Sequence, residues 1–275
     1  MKKFTFLIPI FFLFFSCDEG TTTENVIDPT LLQKVIFNPG TSYETHWNFT
    51  NGILENIVKA DGTFIEQFIY NPNNQLIQNI KYNNVGEVDQ NYIITYNSDG
   101  IITQVNGTMY QYNLSENKYF YNDQATYECH LNTDGLITSS NYLYIDGEDY
   151  YGEDYYCNFD SNSNLTSLSA FGFSFTKFTV NFNYNTTINP LKNATLSLSK
   201  AKSLYDVPFF TKGLVSNNNL AGDVYDKLAP ESSTFSYTYN ANNLPVTQTQ
   251  NDYYFGQLEG SHVSAHYYYQ GDVFP

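Results

Sequence analysis

The chain of 275 residues is strongly acidic, with a formal net charge of −16, and all twelve of its basic residues are lysines. Without arginine it lacks the side chain that grips phosphates in bidentate fashion, and its charge repels polyanions. Nucleic acid and phosphorylated substrates are therefore excluded as expected partners. Aromatic residues make up 18% of the chain and charged residues 15%, a composition that suits β-strands and speaks against disorder.

The N-terminus has the order of a secretory signal, two lysines followed by an apolar run from Phe4 to Phe15. That run is shorter than the ~20 residues that a membrane-spanning helix needs. Cys17 ends the sequence Phe-Phe-Ser-Cys, which resembles a bacterial lipobox; the alternative is an ordinary signal in which the cysteine is incidental. We predict a signal peptide over 1–16, a lipidated Cys17 and tether over 17–25, and anchoring to the outer membrane by lipid alone, on its periplasmic face or at the cell surface.

Residues 26–275 are predicted to form one domain organised by a repeated turn. In Tyr96–Ile101 the side chain of Asn97 can bond the backbone two residues on, and Gly100 supplies the positive φ that closes a bulged hairpin. Related turns fall at 51–52, 61–62, 71–74, 83–86, 106–107, 132–135, 160–164 and 240–243. Their spacing through the first half, about 8 to 14 residues, is typical of an antiparallel meander.

Strand alternation supports the same fold. The stretch Phe235-Ser236-Tyr237-Thr238-Tyr239 places aromatic and hydroxyl side chains on opposite faces, which is typical of a half-buried sheet with the aromatic face inward. The predicted class is all-β: a long antiparallel meander of hairpin repeats, forming a curled sheet or soluble barrel. The sequence leaves open whether the first and last strands meet.

The recurring Tyr-Asn-x-x-Gly-Leu pattern is clearest at 68–76, 96–101, 131–136, 159–165 and 237–244. It resembles the tyrosine-aspartate (YD) repeats of the RHS type, and more closely a family of uncharacterised Bacteroidetes lipoproteins with porin-like or half-barrel antiparallel sheets. The resemblance implies a lipid-anchored extracytoplasmic β-domain and transfers no catalytic residue. The chain lacks the Gly-Arg that usually follows the turn in RHS repeats, so an encapsulating shell is not expected.

One irregular insertion, 189–233, interrupts the turns and contains Pro190, Pro208 and Pro230. A long insertion in a regular β-domain is often functional, so this segment could be a plug or lid. The favoured interpretation is a crossover with a short helix or two that caps the open end of the sheet.

Cys129 and Cys157 occupy equivalent places in successive repeats. With one strand between them, their backbones lie about 9.6 Å apart, which is twice the strand spacing. A disulfide needs Cα atoms within about 7 Å. We therefore predict two free, buried thiols and no disulfide.

Two groups of possible metal ligands stand out. Five carboxylates fall within residues 146–154, and Asp146, Glu148 and Asp149 are weak candidates for binding calcium. A solvated loop whose charges discourage edge pairing is the favoured interpretation, because the spacing fits no calcium loop. His262 and His266 have a zinc spacing only on a helix; on the predicted last strand they lie about 13 Å apart. No metal or other cofactor is expected.

Runs of adjacent aromatics must place some rings on the water face, and Tyr254, Tyr267 and Tyr269 are the candidates for stacking on sugar rings or on a partner protein. The alternative is that the sheet curls and buries them.

The predicted function is a noncatalytic lipid-anchored cell-envelope protein that binds glycan or a partner protein through its sheet or barrel mouth. The alternative is an extracytoplasmic hydrolase with Asp, Glu or His at that mouth. An integral outer-membrane barrel does not fit, because the face opposite the aromatics is Ser, Thr and Asn.

Overall fold

The structure, a computed structural model, describes residues 27–122, 125–133, 135–146, 149–172, 175–202, 204–205, 214, 216–226 and 231–274. The predicted signal peptide, Cys17 and the whole of the tether lie outside these residues, as does Glu148. Within them the chain forms nineteen strands and one helix. The strands are β1 (Leu32–Phe37), β2 (Thr45–Thr50), β3 (Ile53–Lys59), β4 (Phe64–Tyr70), β5 (Leu76–Tyr82), β6 (Val88–Tyr96), β7 (Ile102–Val105), β8 (Thr108–Met109), β9 (Gln111–Asn113), β10 (Lys118–Asn122), β11 (Ala125–Leu131), β12 (Ile137–Asp146), β13 (Asp149–Phe159), β14 (Leu165–Gly172), β15 (Phe175–Ile188), β16 (Asn218–Asp226), β17 (Glu231–Tyr239), β18 (Pro245–Tyr254) and β19 (Gln257–Tyr269); the helix α1 (Pro190–Lys202) lies between β15 and β16.

The repeated turn has the predicted geometry. Asn97 Oδ1 accepts hydrogen bonds from the backbone N–H groups of Asp99 and Ile101, both at 3.0 Å. Gly100 has φ +77°, and the pairing of β6 with β7 is bulged next to Tyr96. The same pair of side-chain acceptor bonds recurs at Asn71, Asn83, Asp160 and Asn240. One local motif thus builds successive hairpins.

The hairpins close into a barrel-like antiparallel sheet, which confirms the all-β prediction. β1 pairs with β2 on one side and with β19 on the other, so the first and last strands meet. The other consecutive strands pair with each other, except that β8 pairs with β7 while β9 pairs with β10. Only Tyr110 separates β8 from β9, and its N–H donates to the carbonyl of Thr103 on β7 at 2.9 Å. These two short strands are therefore halves of one bent strand, and the ring is nearly closed.

The faces of the sheet also follow the predicted alternation. On β15 the side chains of Val180 and Phe182 are buried, whereas Asn181 and Asn183 are exposed. Aromatic and aliphatic side chains point into the barrel, and amide and hydroxyl side chains face water on this part of the wall.

Many tyrosines have a structural role at one end of the barrel. A tyrosine near the end of a strand donates its hydroxyl to a backbone carbonyl at the start of the preceding strand. The five bonds of this kind, at 2.7–2.9 Å, are Tyr70 to Leu54, Tyr96 to Leu76, Tyr184 to Leu165, Tyr237 to Leu220, and Tyr269 to Pro245. Burial raises the pKa of each of these hydroxyls, so they stay protonated donors.

Helix α1 lies inside the barrel and plugs the end at which β15 finishes. It contacts β1, β3 and β5, and its Lys200 lies against Gly135 in the turn between β11 and β12, on another part of the ring. Leu198 and Ala201 are fully buried. The sequence indicates the segment 189–233 as irregular. In the structure, α1 lies at the start of this segment, and β16 and the first residues of β17 lie at its end. Regular elements therefore occupy both ends of this segment.

A buried ion pair joins the plug to the wall. Lys202 Nζ lies 2.6 Å from Glu66 Oε1 on β4, and the side chains are 1% and 11% exposed. The same ammonium lies 5.6 Å from the ring centroid of Phe68. Beyond the helix, Tyr205 stacks on Tyr92 of β6 with centroids 4.3 Å apart. The plug is thus fixed to β4 and β6 by specific polar and aromatic contacts.

β12 separates the two cysteines, as the repeat spacing predicts. Cys129 lies on β11 opposite Ser140, and Cys157 lies on β13. Both are free thiols, and burial raises the pKa of each to about 12. They are inert core side chains in this environment.

Candidate ligand-binding cavity

The barrel encloses a cavity of about 560 Å³ beside the plug. Its rim includes Asn38 and Thr45 at the turn between β1 and β2, and exposed Glu231 at the start of β17. The full lining is Phe37, Asn38, Thr45, Trp47, Asn189, Leu191, Leu214, Asn219, Leu220, Asp223, Tyr225, Glu231, Ser233, Phe235, Tyr237, Gln248, Gln250, Ser264 and Tyr267. The volume lies within the range of roughly 300–1,000 Å³ typical of small-molecule sites.

Aromatic side chains line two parts of the cavity, on β1 and β2 and on β17. Trp47, the only tryptophan of the chain, makes an edge contact with Phe37, their ring centroids 5.1 Å apart. Phe235 and Tyr237 project inward from β17, while Ser236 and Thr238 between and beside them are exposed. The period of two in β17 therefore turns both of its aromatic side chains toward the cavity.

A chain of hydrogen bonds fixes polar side chains of the lining, on the neighbouring strands β17, β18 and β19. Gln248 Nε2 donates to the Tyr237 hydroxyl at 2.6 Å, and that hydroxyl donates to the Leu220 carbonyl at 2.8 Å. Ser264 Oγ donates to Gln248 Oε1 at 3.0 Å. Because each group holds the next, the amide and hydroxyls line the cavity in fixed orientations.

Two carboxylates line the cavity, one deep and one at the rim. Asp223 is 8% exposed, and its Oδ1 accepts the Ser233 N–H at 3.2 Å; Glu231 is exposed. Burial, followed by the negative charges of Asp223 and Glu231, raises the pKa of Tyr225. Tyr225 therefore contributes a neutral phenol to the lining.

The floor of the cavity is the start of the plug. Asn189 caps α1, with its Oδ1 accepting the Leu191 N–H at 3.0 Å, and its Nδ2 donates to the Ser216 carbonyl at 3.1 Å. Leu191 and Leu214 are buried and present apolar surface to the cavity. The plug therefore closes the cavity at this end, and a ligand enters from the rim.

The predicted binding tyrosines fall in three different places. Tyr254 is 44% exposed and packs on Phe255 at the β18–β19 hairpin, outside the cavity. Tyr267 is 4% exposed and lines the cavity. Tyr269 follows the alternative in which the sheet curls and buries it: this side chain is 2% exposed, and its hydroxyl bonds the Pro245 carbonyl.

The weak calcium candidates Asp146, Glu148 and Asp149 stay untested as a group. Asp146 and Asp149 belong to the ends of β12 and β13, and Glu148 lies outside the described residues. His262 and His266 lie on β19, the strand on which their spacing is too long for one ion. The described residues contain no group of three or more His, Cys, Asp and Glu side chains that could hold a metal ion. Within the same ranges, no helix has the length and apolar character to cross a bilayer.

A second depression lies at the turn between β13 and β14 and is lined mainly by Asn, Asp, Ser and Thr. Its side chains bond each other: Asp160 Oδ2 accepts Asn164 Nδ2 at 3.0 Å, and Asn164 Nδ2 also donates to Asn218 Oδ1 at 3.0 Å. This network holds the turn in place, so the enclosed cavity is the stronger candidate for a ligand site.

The cavity residues Trp47, Asp223, Gln248 and Ser264 were not predicted from the sequence. Alternation marks which side chains point inward, but it does not tell which part of a barrel interior remains unfilled. The one available clue was the inward aromatic face of β17.

No protein-family model and no curated protein sequence matches this chain. Among solved structures, it is similar to a porin-like protein from Bacteroides uniformis, with 10% identity, 89% of this chain and 99% of that chain covered, and a TM-score of 0.34. A porin-like protein from Bacteroides vulgatus shares 11% identity over 66% of this chain and 93% of that chain, with a TM-score of 0.25. A third match, TcdB2-TccC3 without its hypervariable C-terminal region, has 12% identity, covers 82% of this chain and 16% of that chain, and has a TM-score of 0.20.

Proposed function

We propose that this protein is a noncatalytic, lipid-anchored protein of the bacterial cell envelope that binds a small glycan in the barrel cavity. The observation that carries the proposal is the cavity itself: the aromatic side chains of Trp47, Phe235 and Tyr267 line the same space as the hydrogen-bonded amide of Gln248 and hydroxyl of Ser264. Sugars offer an apolar ring face and a rim of hydroxyls, so this pairing of surfaces is suited to them.

The lipid anchor is supported by the sequence around Cys17 and by the polar outward side chains of β15 and β17. Ser236 and Thr238 on β17, like Asn181 and Asn183 on β15, present polar groups to solvent. A wall of this kind suits an anchored domain in water better than a barrel embedded in lipid.

The orientation of the domain follows from the anchor. The chain enters the barrel at Asp28, whose N–H donates to Gln270 Oε1 at 2.8 Å, beside the start of β1. This is the plugged end, because β1 runs from here to Asn38 at the cavity rim. A lipid on Cys17 would therefore hold the plugged end toward the membrane, with the cavity mouth facing away.

Trp47 provides the test, because the one tryptophan of the protein lies in the wall of the cavity. Titration with a panel of short oligosaccharides is expected to change its fluorescence saturably, with matching heats in calorimetry. Phe235→Ala should weaken binding, and Tyr254→Ala, a tyrosine outside the cavity, should not. Binding that is lost in Tyr254→Ala and kept in Phe235→Ala would place the site on the outer surface and overturn the proposal.

The competing hydrolase function rests on Asp223 and Glu231 lining one cavity. It predicts that a bound oligosaccharide is cleaved and that Asp223→Asn or Glu231→Gln stops the cleavage. The noncatalytic proposal predicts that the oligosaccharide is recovered intact after prolonged incubation, as judged by mass spectrometry.

A further inference from the structure

The hairpin formed by β18 and β19 projects beyond the neighbouring strand β1 at the mouth end of the barrel. β1 accompanies β19 as far as Asn38, whose N–H donates to the Ser264 carbonyl at 2.9 Å. Farther along, residues 257–263 pair with β18 on one edge, and no described strand pairs with their other edge. At roughly 3.3 Å per residue, this free edge reaches about 20 Å past the end of β1.

The projecting part of β19 is also open to solvent on both faces. Within residues 257–263 every residue except Gly260 is exposed, whereas residues 264–269 are buried or half-buried. Unpaired N–H and C=O groups on an exposed edge accept an added strand, and proteins commonly block such edges with lysine, proline or bulges. Residues 257–263 contain neither lysine nor proline. The bulges in the pairing with β18 leave residues 260–263 regular, so a short added strand can pair there.

Phe255 at the tip of this hairpin has a backbone conformation that suits asparagine or glycine. Three described hairpins have a two-residue turn with positive φ at both positions, at 51–52, 106–107 and 255–256. The first position is asparagine in two of them, as this turn favours, and Phe255 in the third. The Phe255 side chain is 59% exposed and packs edge-on against Tyr254. A bulky ring kept at positive φ on an exposed tip is an outlier that indicates a role in binding.

The charge of the hairpin restricts what can bind to it. Residues 245–269 contain Asp252 and Glu259 and neither lysine nor arginine. Asp252 Oδ2 lies 3.8 Å from His262 Nδ1 within the hairpin, whereas Glu259 is exposed. A second copy of this chain, with its net charge of −16, and an anionic membrane surface would both be repelled. A positively charged segment is the complementary partner.

We propose that the free edge of β19 binds a short extended segment of a partner protein in which apolar residues alternate with lysine or arginine. The backbone of the segment adds a strand beside residues 257–263, in the place where β1 stops. Its apolar side chains pack on the exposed Leu258 and Phe255, and its cations lie near Glu259. Because Ser264 at the base of this edge lines the cavity, the partner sits beside the mouth through which a ligand enters.

Synthetic peptides long enough to span residues 257–263 test the proposal on the whole protein. One peptide alternates valine with lysine, and its control has glutamate in place of lysine. The lysine peptide is expected to bind roughly tenfold or more tightly than the control, and to protect the amides of residues 257–263 from hydrogen exchange. Glu259→Gln should shrink this difference in affinity, and Glu55→Gln, which removes an exposed carboxylate on β3, should leave it unchanged.

Methylation of the peptide nitrogens separates strand addition from contacts made by side chains alone. The N–H groups of alternate residues in a strand point to opposite edges, so peptides methylated on every valine nitrogen or on every lysine nitrogen each lose the donors of one edge. Strand addition predicts that one of these two peptides loses binding and the other keeps it. Equal affinities of the two methylated peptides, or of the lysine and glutamate peptides, overturn the proposal.

Phe255→Asn tests the role of the tip. It should raise the urea midpoint, because asparagine suits this turn, and weaken binding of the lysine peptide severalfold. Asn106→Phe makes the reverse change in the matched turn between β7 and β8, and should lower the midpoint without affecting the peptide. A lowered midpoint in Phe255→Asn contradicts the binding role of the ring.

The other occupants are outcomes of the same experiments. Dimers in sedimentation at rising protein concentration that are lost in Phe255→Asn would assign the edge to a second copy and overturn the proposed partner. Titration of Trp47 fluorescence with an oligosaccharide should be unchanged in Phe255→Asn, because Phe255 lies outside the cavity lining. The glycan proposal is therefore tested separately from this one.

Discussion

Two parts of the barrel interior have walls built from the same hairpin repeat, but helix α1 fills one of them and the other holds the cavity. On the plugged side, α1 fills the space against β3, β4 and β5, where Leu198 and Ala201 are fully buried and the Lys202–Glu66 ion pair joins helix to wall. On the cavity side, β16–β19 with β1 and β2 enclose about 560 Å³. The difference indicates that the repeat determines the wall, whereas the insertion between β15 and β16 determines how much of the interior remains for a ligand.

The largest expected effect lies in the ion pair of the plugged side. Lys202→Met leaves the Glu66 carboxylate buried without this cation, and we expect a loss of about 3–5 kcal/mol in the free energy of unfolding. Lys200→Met, on the exposed side of the same helix, should change stability by less than about 0.5 kcal/mol. Urea unfolding measures both.

A double variant, Lys202→Met with Glu66→Leu, sharpens this test. It should regain most of the lost stability, because it removes the unpaired charge as well. Equal losses for Lys202→Met and Lys200→Met would mean that the plug is not fixed to the wall through this pair.

The pH dependence of stability should also reflect the dry core. Burial raises the pKa of the Cys129 and Cys157 thiols to about 12, whereas an unfolded thiol titrates near about 8.5. Between these values the unfolded chain loses protons that the folded chain keeps, so stability is unaffected below about pH 8 and falls as the pH rises above it. Each thiol should contribute a slope of at most about 1.4 kcal/mol per pH unit.

Urea unfolding at a series of pH values, under reducing conditions, checks the slope. Cys129→Ala should make the slope shallower than in the unchanged protein. If native protein at pH 8 reacts with a thiol reagent as fast as unfolded protein, these cysteines are not in a closed core.

The smallest expected effect concerns the tyrosine hydroxyls, which recur on both sides of the interior. Tyr96→Phe removes the hydrogen bond to the Leu76 carbonyl and should lower the free energy of unfolding by about 1 kcal/mol. The Tyr43 side chain is 78% exposed, so Tyr43→Phe should leave the free energy of unfolding unchanged. Tyr237→Phe should cost at least as much as Tyr96→Phe, and it should also weaken ligand binding because it frees Gln248. Shifts of the urea midpoint at constant slope measure the stabilities.

Local chemistry allowed the wall to be predicted from the sequence. Asn97 and Gly100 specify a turn by their own backbone preferences, and alternation in β15 and β17 specifies the inward face. The separation of Cys129 from Cys157 followed from counting one strand between two repeats.

The interior could not be predicted in the same way. Pairing of β1 with β19 joins segments more than two hundred residues apart, and no local pattern encodes it. The plug combines Pro190, which suits the first turn of a helix, with a buried Lys202, whose partner Glu66 lies 136 residues away. The cavity depends on the summed volume of all inward side chains, which no single strand specifies, so the sequence predicts neither that Trp47 and Asp223 line it nor which of the candidate tyrosines the curled sheet buries.

A pair of small-to-large substitutions tests most directly whether one side of the interior is full and the other open. Ala201 is fully buried in the plug, and Thr45 lines the cavity near its rim. Ala201→Phe should overpack the interior and lower the free energy of unfolding by about 1–3 kcal/mol or more. Thr45→Phe should fold with nearly unchanged stability and lose the ligand-induced change in Trp47 fluorescence. Equal destabilisation by the two substitutions, or full ligand binding by Thr45→Phe, would contradict the division of the barrel into a plug and a ligand cavity.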